Sequence, residues 1–125
     1  MIAIWAIVVV LFGHWLFDFV GQPDWMAMRK SKEWWVLTQH ALRITIGSAI
    51  TALAIVLMAK HSHPEFLTYW AIINGVGHFA IDAVTSRITS KLYAKGDIHN
   101  FFVVIGFDQF LHMTLAVSTL YWLVS

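Results

Sequence analysis

The chain of 125 residues contains no cysteine, only two prolines and few charged residues. The absence of cysteine excludes disulfides, thiolate metal ligands and cysteine nucleophiles. Charged residues make up 12% of the chain, about half the share of an average soluble domain, whereas 59% of the residues are hydrophobic. A chain this short has too little interior volume to hide so much apolar surface from water. The formal net charge of +1 gives no reason to expect a nucleic-acid partner. We therefore expect a membrane protein whose main partner is the lipid bilayer.

Four apolar stretches are long enough to cross a bilayer as helices, which takes about 20 residues each. They cover residues 2–20, 38–59, 66–84 and 101–124. In the first loop, Pro23 is followed by mixed basic and aromatic residues, a composition typical of a short helix at the membrane surface. No linker or low-complexity segment interrupts the chain. The sequence thus predicts one all-α domain over residues 1–125, a four-transmembrane-helix bundle with a short interfacial helix in its first loop.

The basic residues favour one orientation of this bundle. The first and third loops lie on the same side, and the opposite side has only Lys60, beside His61 and His63, which we expect to be solvated. The positive-inside rule then places the first and third loops in the cytoplasm and both termini outside. The basic residues assigned to these two loops are Arg29, Lys30, Lys32, Arg87, Lys91 and Lys95.

Ionisable residues recur inside the spans, where they are costly and mark functional candidates. The phrase Gly-His-x-x-x-Asp occurs at residues 13–18 and again at residues 77–82. Asp108 and His112 repeat the spacing in reverse order. Residues four apart share one helix face, so each pair can reach a common centre. The repeat also predicts two halves related by a pseudo-two-fold axis along the membrane normal.

These pairs, together with His40 at the start of the second span, are expected at one depth in the cytoplasmic leaflet. Three carboxylates in a medium of low dielectric constant repel one another unless protons or cations neutralise them. Two divalent ions and one hydroxide would balance the three carboxylates. Mixed imidazole and carboxylate ligands suit zinc, manganese or iron, and we expect one or two ions, with zinc favoured. The predicted ligands are His14, Asp18, His40, His78, Asp82, Asp108 and His112.

Other polar residues are candidates for supporting roles. Gln22, Asn74 and Gln109 could orient the ligands by hydrogen bonds, although Asn74 equally suits a hydrogen bond between helices. Arg43 and Arg87 are candidates to bind a substrate phosphate. Contact with the lipid headgroups is the alternative for Arg43.

The predicted function is metal-assisted hydrolysis near the cytoplasmic face, in which the metal activates water and Asp18 or Asp82 serves as the base. A centre at headgroup depth favours a lipid or a lipid-linked phosphate as the substrate. Two alternatives stay open. One is an ion or proton transport protein that uses the same side chains. The other is a non-catalytic membrane interaction protein whose polar cluster holds the helices together.

The ordered motifs carry a family resemblance. They are Gly-His-Trp-Leu-Phe-Asp-Phe at 13–19 followed by Gln22, Asp-Trp-Met-Ala at 24–27 followed by Lys30, Trp-Trp at 34–35, His-Ala-Leu at 40–42, His-Phe-Ala-Ile-Asp at 78–82 and Asp-Gln-x-x-His at 108–112. Over nearly the whole chain they resemble the small bacterial and phage membrane proteins grouped as domain of unknown function 3307. This resemblance implies a compact multi-span domain in the bacterial inner membrane and no known reaction. A looser similarity links the motifs to predicted membrane-bound metal-dependent hydrolases, and an enzymatic function inferred from it is an analogy.

Overall fold

The computed structural model describes residues 2–60 and 64–124, and within these ranges it contains helices and no strand. The all-α prediction is therefore confirmed for this part of the chain. His61 and His63 lie outside the described residues, so their predicted solvation stays a prediction. The helices are α1 (Ile4–Trp15), continued by a π-helical segment (Leu16–Val20), then α2 (Asp24–Arg29), α3 (Trp34–Ala59), α4 (Pro64–Ala94) and α5 (Ile98–Val124).

The long helices pack side by side around a shared apolar core. Helix α3 contacts α1 and α4, while α5 contacts α4 and α1. At one level of the bundle the core contains Val10, Ala52, Trp70 and Leu120, one residue from each long helix. The histidines and aspartates of the predicted metal site, here called the polar pairs, lie at a second level. They follow the core residues along the segment formed by α1 and its π continuation and along α4, whereas they precede the core residues along α3 and α5. Helices α1 and α4 therefore run in one direction, and α3 and α5 run in the other.

Two of the described helices are long and apolar enough to cross a membrane: α3 and the segment Ile98–Leu123 of α5. The apolar helix Ile4–Val20, formed by α1 and the π segment, is shorter. The outer surfaces of the long helices expose large apolar side chains such as Leu57, Val76 and Phe102. These features support membrane association. The four-span bundle and its pseudo-two-fold repeat stay predictions.

The connection between α4 and α5 differs from the predicted third loop. Arg87 and Lys91 lie within α4, so their assignment to a loop is wrong. The polar residues in this stretch are compatible with a helix because their side chains bond back to the preceding turn. Ser86, for example, donates its hydroxyl to the carbonyl oxygen of Asp82, four residues earlier.

The turn itself comprises Lys95, Gly96 and Asp97. Gly96 has a φ of 73°, a left-handed conformation that glycine adopts without steric cost and that commonly ends helices. The Asp97 carboxylate then accepts hydrogen bonds from both the backbone and the side chain of Asn100. These bonds lower the pKa of Asp97 and satisfy the start of α5.

The longer helices change the shape around the polar pairs. Helix α4 continues from Asp82 to Ala94, which at 1.5 Å per residue is about 18 Å. The α4–α5 hairpin therefore projects well beyond the level of the polar pairs. The short helix predicted in the first loop is present as α2, which packs on α3 and has one buried residue, Met26. The first loop and the projecting hairpin together shape the space beside the polar pairs.

Candidate metal centre

Two aspartates and two histidines form the middle of a buried polar cluster. The Nε2 atom of His40 lies 3.1 Å from Oδ1 of Asp18 and 3.3 Å from Oδ2 of Asp82. The Nε2 atom of His78 lies 3.4 Å from each of the same two oxygens. The side chains come from the π segment, α3 and α4, and each residue is at most 4% exposed. Residues distant in sequence thus share a single contact network.

The remaining three predicted ligands extend this network on both sides. His14 Nε2 lies 3.5 Å from Asp18 Oδ2. His112 Nε2 lies 3.1 Å from Asp82 Oδ1 and 3.3 Å from Asp108 Oδ1. The structure therefore brings together all seven residues, which we call the His/Asp cluster: His14, Asp18, His40, His78, Asp82, Asp108 and His112.

Three groups within the His/Asp cluster could hold a metal ion, since their ligand atoms lie within 4.8 Å of one another. The two types of ligand, neutral imidazole and carboxylate, are common to zinc, manganese and iron sites. The Nδ1 atoms of His40 and His112 are buried and have no hydrogen-bond partner within the described part of the chain. The groups are His14 with Asp18 and His78; His40 with His78 and Asp82; and Asp82 with Asp108 and His112.

Local backbone features bring Asp18 into the cluster. It lies in the middle of the π segment, whose wider turn is closed by a 2.7 Å hydrogen bond from Gly21 N–H to the Leu16 carbonyl oxygen. Such π turns are rare and occur frequently at functional sites. The neighbouring Phe17 packs directly on Gly47 of α3, where a Cβ atom would clash with the Phe17 ring. The absence of a side chain at Gly47 therefore allows the π segment and α3 to approach closely.

Lys30 also belongs to the site, although its sequence context indicated a cation of the first loop. Its ammonium group donates a 2.8 Å hydrogen bond to Oδ2 of Asp82, and the side chain is only 15% exposed. A signal for this was present in the sequence. Lys30 directly follows the last residue of α2 and comes four residues after the apolar Met26. The two side chains therefore lie on the same, inward face of the helix. Mixed basic and aromatic composition masked that signal, because it is also typical of headgroup contacts.

Gln109 lies between two members of the cluster. Its side-chain oxygen accepts a 2.8 Å hydrogen bond from His14 Nε2, and its side-chain nitrogen donates a 2.9 Å bond to Asp108 Oδ2. Asp108 Oδ1 accepts a second bond, of 2.5 Å, from the hydroxyl of Thr85, a residue that none of the sequence motifs contains. These contacts fix the positions of the His14 imidazole and the Asp108 carboxylate.

The other two predicted supporting residues differ from Gln109. Gln22 has a buried side-chain oxygen without a hydrogen-bond partner among the described residues. Asn74 donates to the carbonyl oxygen of Trp70 and, at 3.1 Å, to the hydroxyl of Thr119. It thus links α4 to α5, which corresponds to the interhelical alternative.

The two candidate phosphate-binding arginines have contacts away from the His/Asp cluster. Arg43 donates a 3.1 Å hydrogen bond to the carbonyl oxygen of Gly21. The guanidinium of Arg87 lies 3.9 Å from the centre of a Trp34 ring and donates to the Ala83 carbonyl oxygen. Their roles in substrate binding stay predictions.

The His/Asp cluster lies between two cavities. One, of about 240 Å³, is lined by all three carboxylates of the cluster together with Gln22 and Lys30. The other, of about 30 Å³, is lined by the imidazoles of His14, His78 and His112. The larger cavity has room for a small ligand beside the carboxylates, and the smaller has room for about one water molecule.

Comparisons with known proteins identify the family. No curated protein and no solved structure matches the chain. The model of the family described as "Protein of unknown function (DUF3307)" matches residues 6–125. This match covers almost the entire chain and agrees with the resemblance carried by its motifs. The chain belongs to the family "Protein of unknown function (DUF3307)".

Proposed function

We propose that this protein is a multi-pass membrane protein that binds a divalent transition metal in its His/Asp cluster and uses the metal for hydrolysis. One observation carries the proposal: four imidazoles and three carboxylates from α1, the π segment, α3, α4 and α5 meet in a buried cluster beside a cavity of about 240 Å³. Zinc is the preferred metal, and manganese or iron would suit the same ligands.

The charges of the cluster support a cation. With neutral imidazoles, the three carboxylates contribute −3 and the ammonium of Lys30 contributes +1, so the formal charge is −2. A buried charge of this size is costly unless it is compensated. One divalent ion compensates it fully. Of the one or two ions expected from the sequence, the charge therefore favours one.

The position of the larger cavity supports an enzyme rather than a closed structural site. Asp18, Asp82 and Asp108 all line it, so a ligand in the cavity could approach both the metal and a carboxylate base. A metal in this position would activate water and polarise a phosphoryl or carbonyl oxygen. Asp18 is the preferred general base, because Asp82 already accepts a hydrogen bond from Lys30. The proposed substrate is a lipid or a lipid-linked phosphate.

We further propose that α1 with the π segment, α3, α4 and α5 each cross the membrane. The exposed apolar surfaces of these helices support this arrangement, because contact with lipid is favourable for apolar side chains and contact with water is not. The segment Ile4–Val20 would span about 25 Å at 1.5 Å per residue, a mismatch that a bilayer tolerates by thinning locally. The positive-inside rule places Lys30 and the α4–α5 turn in the cytoplasm of a bacterium and both termini outside.

A transport function is the second candidate, and the smaller cavity favours it. This cavity lies on the imidazole side of the cluster and is also lined by the polar residues Ser48, Thr51 and Asn74. A metal ion or proton that reached the cluster from the carboxylate side would therefore meet further polar groups beyond it. The two cavities make a transport pathway a specific alternative to hydrolysis.

Metal analysis of the protein purified in detergent tests the shared premise. We expect one zinc, manganese or iron ion per chain by inductively coupled plasma mass spectrometry, and a lower thermal midpoint in chelator. Protein that contains no metal, takes up none of these three ions and is equally stable in chelator would contradict the metal proposal.

Two reconstituted assays then separate the functions. Release of inorganic phosphate from vesicles containing phosphatidic acid or a polyprenyl phosphate, abolished by Asp18→Asn, supports hydrolysis. Metal-dependent flux into sealed proteoliposomes without phosphate release supports transport instead. The matched control is Asp24→Asn, which changes an exposed carboxylate at the start of α2.

A further inference from the structure

We infer that Lys30 takes the place of a second metal ion and so limits the His/Asp cluster to one divalent ion. The inference rests on the proposed metal function and assigns a specificity-determining role to a residue of the first loop. Three independent features support it: the division of the cluster into ligand groups, the charge of the cluster and the position of the Lys30 ammonium.

The ligand groups could accommodate two ions. The group of His14, Asp18 and His78 has no residue in common with the group formed by Asp82, Asp108 and His112. Both groups could therefore be filled at the same time. By contrast, the middle group takes His78 from the first and Asp82 from the second. Geometry alone would allow either one central ion or two flanking ions.

Charge decides between these arrangements. With Lys30 in place the formal charge is −2, so one divalent ion gives a neutral centre, whereas two divalent ions with one hydroxide give +1. Without the Lys30 ammonium the charge is −3, and two divalent ions with one hydroxide restore neutrality. Since uncompensated charge in a buried site is costly in either sign, the presence of Lys30 favours a single ion.

The position of Lys30 makes it a substitute for an ion rather than a distant counter-charge. Its nitrogen lies 2.8 Å from Asp82 Oδ2, an oxygen that also faces His40 at 3.3 Å and His78 at 3.4 Å. The ammonium therefore takes up a carboxylate oxygen directed toward the centre of the cluster. Lys30 lies at the C-terminal end of α2, and this helix packs against α3. The first loop thus supplies a cationic side chain to the site.

Substitution of Lys30 tests the inference through metal stoichiometry. In detergent, with manganese or zinc added and the excess removed, the wild type is expected to retain one ion per chain and Lys30→Met two. Lys30→Arg keeps the positive charge and should retain one. The control is Lys32→Met, which removes an exposed cation two residues away and should also leave one ion. Electron paramagnetic resonance of the manganese forms adds a second readout, since two neighbouring ions give a spin-coupled signal.

The outcomes separate this inference from the metal proposal. A wild type that binds no metal contradicts the proposed function. If the wild type and Lys30→Met both bind one ion and both give a single-ion spectrum, the proposed role of Lys30 is wrong. The proposed metal function is then unaffected. Lys30→Gln replaces Lys30→Met if the methionine variant does not fold. A wild type that binds two ions overturns the inference without any variant, because Lys30 is then present and does not limit the count.

Discussion

The Nε2 atoms of His40 and His78 lie 3.0 Å apart, on the facing helices α3 and α4. Two imidazole nitrogens at this distance either share one hydrogen or both face a cation that has replaced it. Both nitrogens also lie within 3.4 Å of Asp82 Oδ2, and the three residues form the middle candidate metal group. A metal ion taking the place of the shared hydrogen would therefore find two imidazoles and a carboxylate already directed toward it.

Removal of His78 should weaken both metal binding and the fold. His78 belongs to two of the three candidate metal groups, and its imidazole is buried between Asp18 and Asp82. We expect His78→Ala to lose most of its metal and to destabilise the protein by about 3–5 kcal/mol, because two buried carboxylates each lose one of their imidazole contacts. Metal content and the thermal midpoint measure the two effects. Asp24→Ala, an exposed residue of α2, should change neither. An unchanged metal content in His78→Ala would remove this residue from the ligand set.

Gln109 should affect metal affinity without being a ligand. Its amide holds His14 on one side and Asp108 on the other. Loss of a residue that orients metal ligands typically lowers affinity by about 10–100-fold, so we expect that range for Gln109→Ala. Competition with a fluorescent chelator measures the affinity. Phe110→Ala, an exposed neighbour on the same helix, should bind as the wild type does. Equal affinities for both variants would show that the amide contacts do not orient the ligands.

Gly47 should be intolerant of even one added methyl group. A Cβ atom there would meet the ring of Phe17, which precedes Asp18 in the π segment. We expect Gly47→Ala to destabilise the protein by about 1–3 kcal/mol, the usual cost of overpacking, and to lower metal affinity as Asp18 shifts. Gly106→Ala is the matched control, because no atom lies within 4 Å of its added Cβ. That variant should be as stable as the wild type or more stable by up to about 1 kcal/mol. Thermal unfolding in detergent distinguishes the two glycines.

The proposed orientation has a direct test. Alkaline phosphatase is active only outside the cytoplasm, so a fusion after Ser125 should be active and an insertion at Gly96 inactive. The physical reason is the excess of basic residues near the first loop and the α4–α5 turn. Green fluorescent protein fused at the same sites gives the reciprocal signal and serves as the expression control. The reverse pattern at both sites would invert the topology and place Lys30 outside the cytoplasm.

Much of the candidate site followed from local sequence. The spacing of four residues in His14–Asp18, His78–Asp82 and Asp108–His112 is sufficient to place each pair on one helix face. The length of the apolar segments indicated which ends of the helices would lie at the same level. The sequence did not reveal the full length of α4, because hydropathy falls at Thr85 while helical hydrogen bonding continues to Ala94. Hydropathy reports the preferred solvent of a segment, whereas backbone hydrogen bonding determines where a helix ends.

The sequence by itself determined the all-α class, the apolar outer surfaces and the paired histidines and aspartates, since each depends on the identity and spacing of neighbouring residues. Only the tertiary structure decided that Lys30 reaches Asp82, which lies 52 residues away in the chain. The flanking residues Arg29 and Lys32 are equally basic but exposed. The difference arises because α2 packs on α3 with one face of the helix turned inward. Met26 and Lys30 lie on that face. The spacing of Met26 and Lys30 indicates a shared face, whereas the contact with Asp82 depends on how two distant segments dock.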